Sequence, residues 1–218
     1  MIVEMFLSGF LFLFILVLNL VMASFGYTME KSDYDPTTDL KKININPKKF
    51  KTGISLALIE HGSVIALTIL LFIAFSSYNI ILGIVWLIFR TAEGLIQFIN
   101  EPNYWGLINI AKQYSSSSEK NSLINLAQNI FKTKDVRFKF AMICWSIGTL
   151  AFSIVLVISE VVPAIIGWLG IIASILIGIT TGIKLAKPDS KDLTAIGGLS
   201  AILFEVIIGV ALLYYSII

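Results

Sequence analysis

GISLALIEHGSVIALTILLFIAFSSYNIILGIVWLIFRTAEGLIQFI, running from Gly53 to Ile99, decides the fold. It reads as two apolar runs, about 53–76 and 79–99, joined by a short uncharged turn. Runs of about 18 or more apolar residues are long enough to cross a bilayer as helices. Outward from this hairpin, four more runs read the same way: about 5–26, 138–159, 161–184 and 193–217. The expectation is an all-α, polytopic membrane protein with six transmembrane helices, forming one helical-bundle domain over residues 1–218.

Composition agrees. The chain is 57% hydrophobic and 14% charged, against about 45–50% and 25% in soluble domains. The N-terminal run has no basic residues before it and is too long for the apolar part of a signal peptide, so it reads as a retained helix. Cys144 is the single cysteine and His61 the single histidine. An intramolecular disulfide, a His- and Cys-built metal site and a haem held by two histidines are therefore excluded. No Walker loop, G-x-S-x-G elbow or H-E-x-x-H motif occurs. The basic loops are short, which argues against a nucleic-acid partner.

The charges set the topology. Lys31, Lys41, Lys42, Lys48, Lys49 and Lys51 lie between spans one and two. Lys112, Lys120, Lys132, Lys134, Arg137 and Lys139 lie between spans three and four, and Lys184, Lys187 and Lys191 between five and six. The other two connections and both ends of the sequence carry no Lys or Arg. The positive-inside rule puts the three basic loops in the cytoplasm and both termini outside the cell membrane.

Within the first basic loop, Asp33-Tyr34-Asp35-Pro36 reads as extended chain. In the second, Pro102 is placed to start a new helix reaching Tyr114, with Tyr104 and Trp105 suited to the lipid interface. Residues 119–132 read as a short interfacial helix, because Leu123, Leu126, Ala127, Ile130 and Phe131 share one face. That face would lie in the headgroup region or dock a partner subunit.

Small residues recur at four-residue spacing in the last two spans: Gly170, Ser174, Gly178 and Gly182, then Gly197, Ala201 and Gly209, with Glu205 in the same register. Such stripes let helix backbones approach closely. They predict that spans five and six pack as an antiparallel pair.

Six apolar runs leave few polar side chains inside the membrane. Glu60 and His61 lie in span two, Arg90, Glu93 and Gln97 in span three, and Glu205 in span six. Buried charge is costly in lipid and normally faces the bundle interior with a partner. At about 1.5 Å per residue, Glu60 and Glu93 sit roughly 10–12 Å from the cytoplasmic end, Arg90 about 15 Å and Glu205 about 20 Å. Arg90 and Glu93, three apart, can pair within their helix, leaving Glu60 available to Arg90 across the hairpin. This layer of Glu60, His61, Arg90, Glu93 and Glu205 is either a structural ionic lock or the lining of a site for a headgroup, a substrate or a proton. His61 reads as a hydrogen-bonded core histidine, with proton carrier or single axial ligand as alternatives. No cofactor is named by these residues.

Three segments in order carry a resemblance: Phe50-Lys51-Thr52-Gly53-Ile54-Ser55, Trp86-Leu87-Ile88-Phe89-Arg90-Thr91-Ala92-Glu93, and Val162-Pro163-Ala164-Ile165-Ile166-Gly167-Trp168-Leu169-Gly170. Together they resemble a prokaryotic multi-spanning membrane family, domain of unknown function 4386, over about residues 45–182. Arg90, Glu93, Pro163, Gly167 and Leu169 match its pattern. Lys51 stands where the family often has Arg, and Glu160, Val161 and Val162 replace its usual basic or polar residues. The resemblance implies a helical integral membrane protein and no activity.

Three function classes remain open. One is a non-catalytic subunit or binding protein for a membrane-protein partner, a second copy or an apolar ligand in the lipid bilayer. The second is a small proton-coupled transporter using Glu60, Arg90, Glu93 and Glu205. The third is a membrane-embedded lipid-modifying enzyme using His61 and Glu60.

Overall fold

The computed structural model of the chain describes residues 1–27, 35–188 and 194–217. Lys31, Asp33, Tyr34 and Lys191 lie outside the described residues. Seven helices are described: α1 (Ile2–Ser24), α2 (Pro36–Ile45), α3 (Pro47–Phe75), α4 (Ile80–Ser116), α5 (Lys120–Ser159), α6 (Ala164–Ala186) and α7 (Thr194–Tyr215). All except α2 are long and apolar enough to cross a membrane. Their outward faces carry Phe10, Leu20, Ile73, Ile81, Ile172 and Leu203, all exposed.

Short polar residues start α2, α3 and α4. Asp35 caps α2 by accepting from the Thr37 amide, and Pro36 follows at its first position. Asn46 closes α2 and caps α3, accepting from the Lys49 amide at 3.0 Å. Asn79 caps α4 by accepting from the Leu82 amide at 3.1 Å. Each cap satisfies a backbone donor that the helix itself leaves open. At the other end of α5, Glu160 takes a left-handed conformation, φ 53°, and lets Pro163 lead into α6.

The six long helices form a closed ring. Each packs on the next in the order α1, α3, α4, α5, α6, α7, and α7 returns to α1. Neighbours are antiparallel: Gly83 approaches Ser76 near the α3–α4 turn, while Gly94 approaches His61 further along. The described basic residues of the three connecting regions therefore share one end, called the basic end below.

Closure depends on glycine. A Cβ on Gly9 would stand 2.7 Å from the Gly209 carbonyl oxygen and 2.8 Å from the Leu213 amide, so α1 and α7 touch backbone to backbone. The α6 stripe points mainly at α5. Gly170 abuts Ser153 as well as Phe204 of α7, Gly178 abuts Ser146, and the Ser146 hydroxyl donates to the Ser174 carbonyl at 2.7 Å. Gly182 faces open space. In α7, Gly197 packs on Ile177 and Thr180 of α6, whereas Gly209 packs on Phe12 and Leu13 of α1. Helices α6 and α7 are neighbours, but their stripes serve three interfaces.

Two expectations about the loops are corrected. Residues 119–132 are no separate interfacial helix: from Lys120 they are the first turns of the 40-residue α5. Part of their apolar face turns onto protein, with Ala127 and Phe131 buried against Tyr104, Leu107 and Ala111 of α4, while Leu126 stays exposed. Pro102 starts no helix either, because α4 runs through it to Ser116. The stripe Trp86, Arg90, Glu93, Gln97 continues at the same spacing as Glu101, Tyr104, Leu107, Ala111 and Tyr114. Burial of that stripe outweighs the one donor that proline removes.

Helices α4 and α5 consequently project beyond the ring at the basic end as an antiparallel pair, with α2 laid against them. This creates two apolar clusters. One fills the ring, with Leu67, Trp86, Phe152, Phe204 and Ile208. The other gathers Leu40, Ile43, Ile54, Leu107, Ala127 and Phe131 around the projecting pair.

Candidate functional site

The buried ionisable groups lie where the two clusters meet. Glu60, His61, Arg90, Glu93, Glu101 and Lys134 are each no more than 4% exposed, so each needs an internal partner.

Deeper in the ring, Arg90 donates to Glu93 one helical turn away. The Arg90 guanidinium also lies over the Trp86 and Trp145 rings, 5.3 and 5.8 Å from their centres. Two indole faces help to hold a cation away from water. Gly148 of α5 makes room for it: a Cβ there would meet Arg90 Cγ at 2.8 Å. The indole N–H of Trp86 donates to the Thr68 carbonyl at 3.0 Å, and that of Trp145 donates to Glu205 Oε1 at 3.1 Å. Glu205, half-buried on α7, is thereby joined to the wall that holds Arg90.

Nearer the basic end, His61 stands between two carboxylates. Its Nδ1 meets Glu60 Oε2 at 2.5 Å and its Nε2 meets Glu101 Oε1 at 3.4 Å. The Tyr27 hydroxyl donates to the same Glu101 oxygen. Burial and the neighbouring Glu101 carboxylate push the Tyr27 phenol above its ordinary pKa, so it stays a donor. The Lys134 ammonium caps the group, 3.7 Å from the centres of both the Tyr27 and Tyr104 rings. Arg137 donates to Asn100 alongside, at 3.2 Å.

Of the residues picked out in the sequence, Glu60 and His61 thus meet each other, Arg90 meets Glu93, and Glu205 meets Trp145. Glu60 bonds His61 and not Arg90. The apolar pattern of the sequence does not point to Glu101, Tyr27 or Lys134. Glu101 falls just beyond the expected end of span three, although it continues the span's buried stripe. Tyr104 is buried in the centre of this group, and Trp105 is exposed with Lys51 over its ring at 5.0 Å. Among the described residues, Arg90 Nε and Glu101 Oε2 are buried without a hydrogen-bond partner. No three His, Cys, Asp or Glu side chains among them are grouped to hold a metal ion.

A cavity of about 370 Å³ opens beside this group at the basic end. Phe25, Ile43, Phe50, Tyr104 and Phe131 give it an apolar wall, and Asp39, Lys42, Asn46 and Lys49 line it with polar groups. Among the described residues neither Lys42 nor Lys49 forms an ion pair. Tyr104 belongs to both places: it lines the cavity and packs edge-on against Tyr27, ring centres 5.6 Å apart.

Six apolar helices closed around a charged interior define a multi-spanning helical membrane protein. The chain belongs to the family described as Domain of unknown function (DUF4386), which matches residues 7–215. The match extends to both sides of the 45–182 stretch that carries the sequence resemblance. No curated protein matches the chain, and no solved structure does.

Proposed function

We propose that this protein is a non-catalytic membrane binding protein whose ligand is an amphiphile with an anionic head, received in the cavity at the basic end. The cavity carries the reading. Its size falls in the range of small-molecule sites, about 300–1,000 Å³, which combine apolar walls with a few polar groups. Phe25, Ile43, Phe50, Tyr104 and Phe131 suit the apolar part of the ligand. Lys42 and Lys49, on exposed turns of α2 and α3, suit the head. With the basic end in the cytoplasm of the cell, the site would face the inner leaflet.

Native mass spectrometry of the protein, gently extracted from its own membrane, tests this. The expected result is an added mass in the lipid or fatty-acid range that the Lys42→Glu/Lys49→Glu variant no longer carries. A protein adduct would replace the reading with that of an assembly subunit. A bare chain would leave the carrier reading, for which the unpaired Arg90 Nε in the ring interior is the favouring observation.

A further inference from the structure

We propose that Glu60, His61 and Glu101 form a proton relay with one mobile proton, linking α3 to α4 within the buried charged group.

The available donors set the number of protons. A carboxylate only accepts hydrogen bonds, and a neutral imidazole has one N–H. Here both ring nitrogens of His61 face carboxyl oxygens, Glu60 Oε2 and Glu101 Oε1. One proton cannot serve both contacts, so the three groups hold two between them. The Tyr27 hydroxyl already gives its proton to Glu101 Oε1. Among the described residues Glu101 Oε2 is buried without a hydrogen-bond partner, an arrangement costly for a full carboxylate charge and less so for a carboxyl sharing a proton. All titratable neighbours are close at hand. Glu93 and Arg90 of α4 pair with each other, and Glu205 of α7 is held by Trp145. Lys134 of α5 lies on the rings of Tyr27 and Tyr104.

The transfer balances. The O–H bond of Glu60 breaks as an N–H bond forms at Nδ1, while the N–H bond at Nε2 breaks as an O–H bond forms at Glu101 Oε1. The net charge of the trio is the same before and after. Glu60 lies level with Gly94 of α4, whose Cβ would approach the His61 carbonyl oxygen. Glu101 is seven positions further toward the basic end, roughly 10 Å along the helix. The relay stands whether or not the cavity binds an amphiphile, since it uses no cavity lysine.

His61 is the single histidine, so ¹⁵N-histidine labelling of the full chain in lipid gives signals from this ring alone. The expected spectrum at neutral pH has protons on both nitrogens, or both nitrogens averaged between protonated and bare. In Glu101→Gln, which keeps the shape but cannot take the proton, the ring settles to one fixed tautomer. A wild-type ring with one fixed N–H and one permanently bare nitrogen would overturn the proposal, and that readout needs no variant to fold. It would equally be overturned if the wild-type pattern persisted in both Glu60→Gln and Glu101→Gln.

Discussion

Arg90 shows how a single residue organises this interior. Its charge is balanced by Glu93, its faces are covered by Trp86 and Trp145, and its stem rests against Gly148. Removing one member of a buried ion pair strands the other, at about 3–5 kcal/mol, whereas replacing both can be nearly neutral. Arg90→Met is therefore expected to lower the thermal midpoint in mild detergent sharply, and Arg90→Met/Glu93→Gln to recover most of the loss. A double variant no better than the single one would show that the pair is not the source of the cost. This pair was legible in the sequence because three-residue spacing on a helix is a contact in itself. The rest of the group around His61 was not. Tyr27 follows the first apolar run, Glu101 follows the third, and Lys134 looks like one more loop charge. Nothing local shows that α4 and α5 continue beyond their apolar runs and, with the residue after α1, gather these side chains around the Glu101–His61 contact.

At the level of helices, the apolar runs located every spanning segment but not its end. Hydropathy reports where a helix is compatible with lipid, and α4 and α5 remain helical well beyond that because each buries its stripe on the other and on α2. The small-residue stripes likewise announced close approach without naming the partner, since a stripe can be split between two neighbours, as in α7. The closest contact of a glycine with a neighbouring backbone is at Gly9, a residue outside both stripes, whose Cβ would run into backbone atoms of α7 that no rotamer change can move aside. Overpacking of this kind costs about 1–3 kcal/mol, sometimes more. Gly9→Val is expected to lower the thermal midpoint by an amount at or above that range, whereas Gly62→Val, where a Cβ meets nothing within 4 Å, is expected to change it little. Equal effects at the two sites would mean that backbone contact between α1 and α7 does not hold the ring closed.

For the molecule as a whole, the antiparallel ring places the described lysines and arginines of three separate connections at one end, with Arg90 alone left deep inside. An asymmetry of this size is what orients a polytopic chain during insertion, and our proposal accordingly has the basic end, its cavity and the α4–α5 projection facing the cytoplasm. The single native cysteine makes the assignment easy to test. In a Cys144→Ser background, Ile217→Cys lies at the end of α7 and is 76% exposed. A membrane-impermeant maleimide added to intact cells is expected to label it. Lys120→Cys, at the exposed start of α5, is expected to react only after the membrane is opened. The reverse pattern would invert the molecule and move the cavity to the outer face. Its lysines would then have to meet their anion outside the cell.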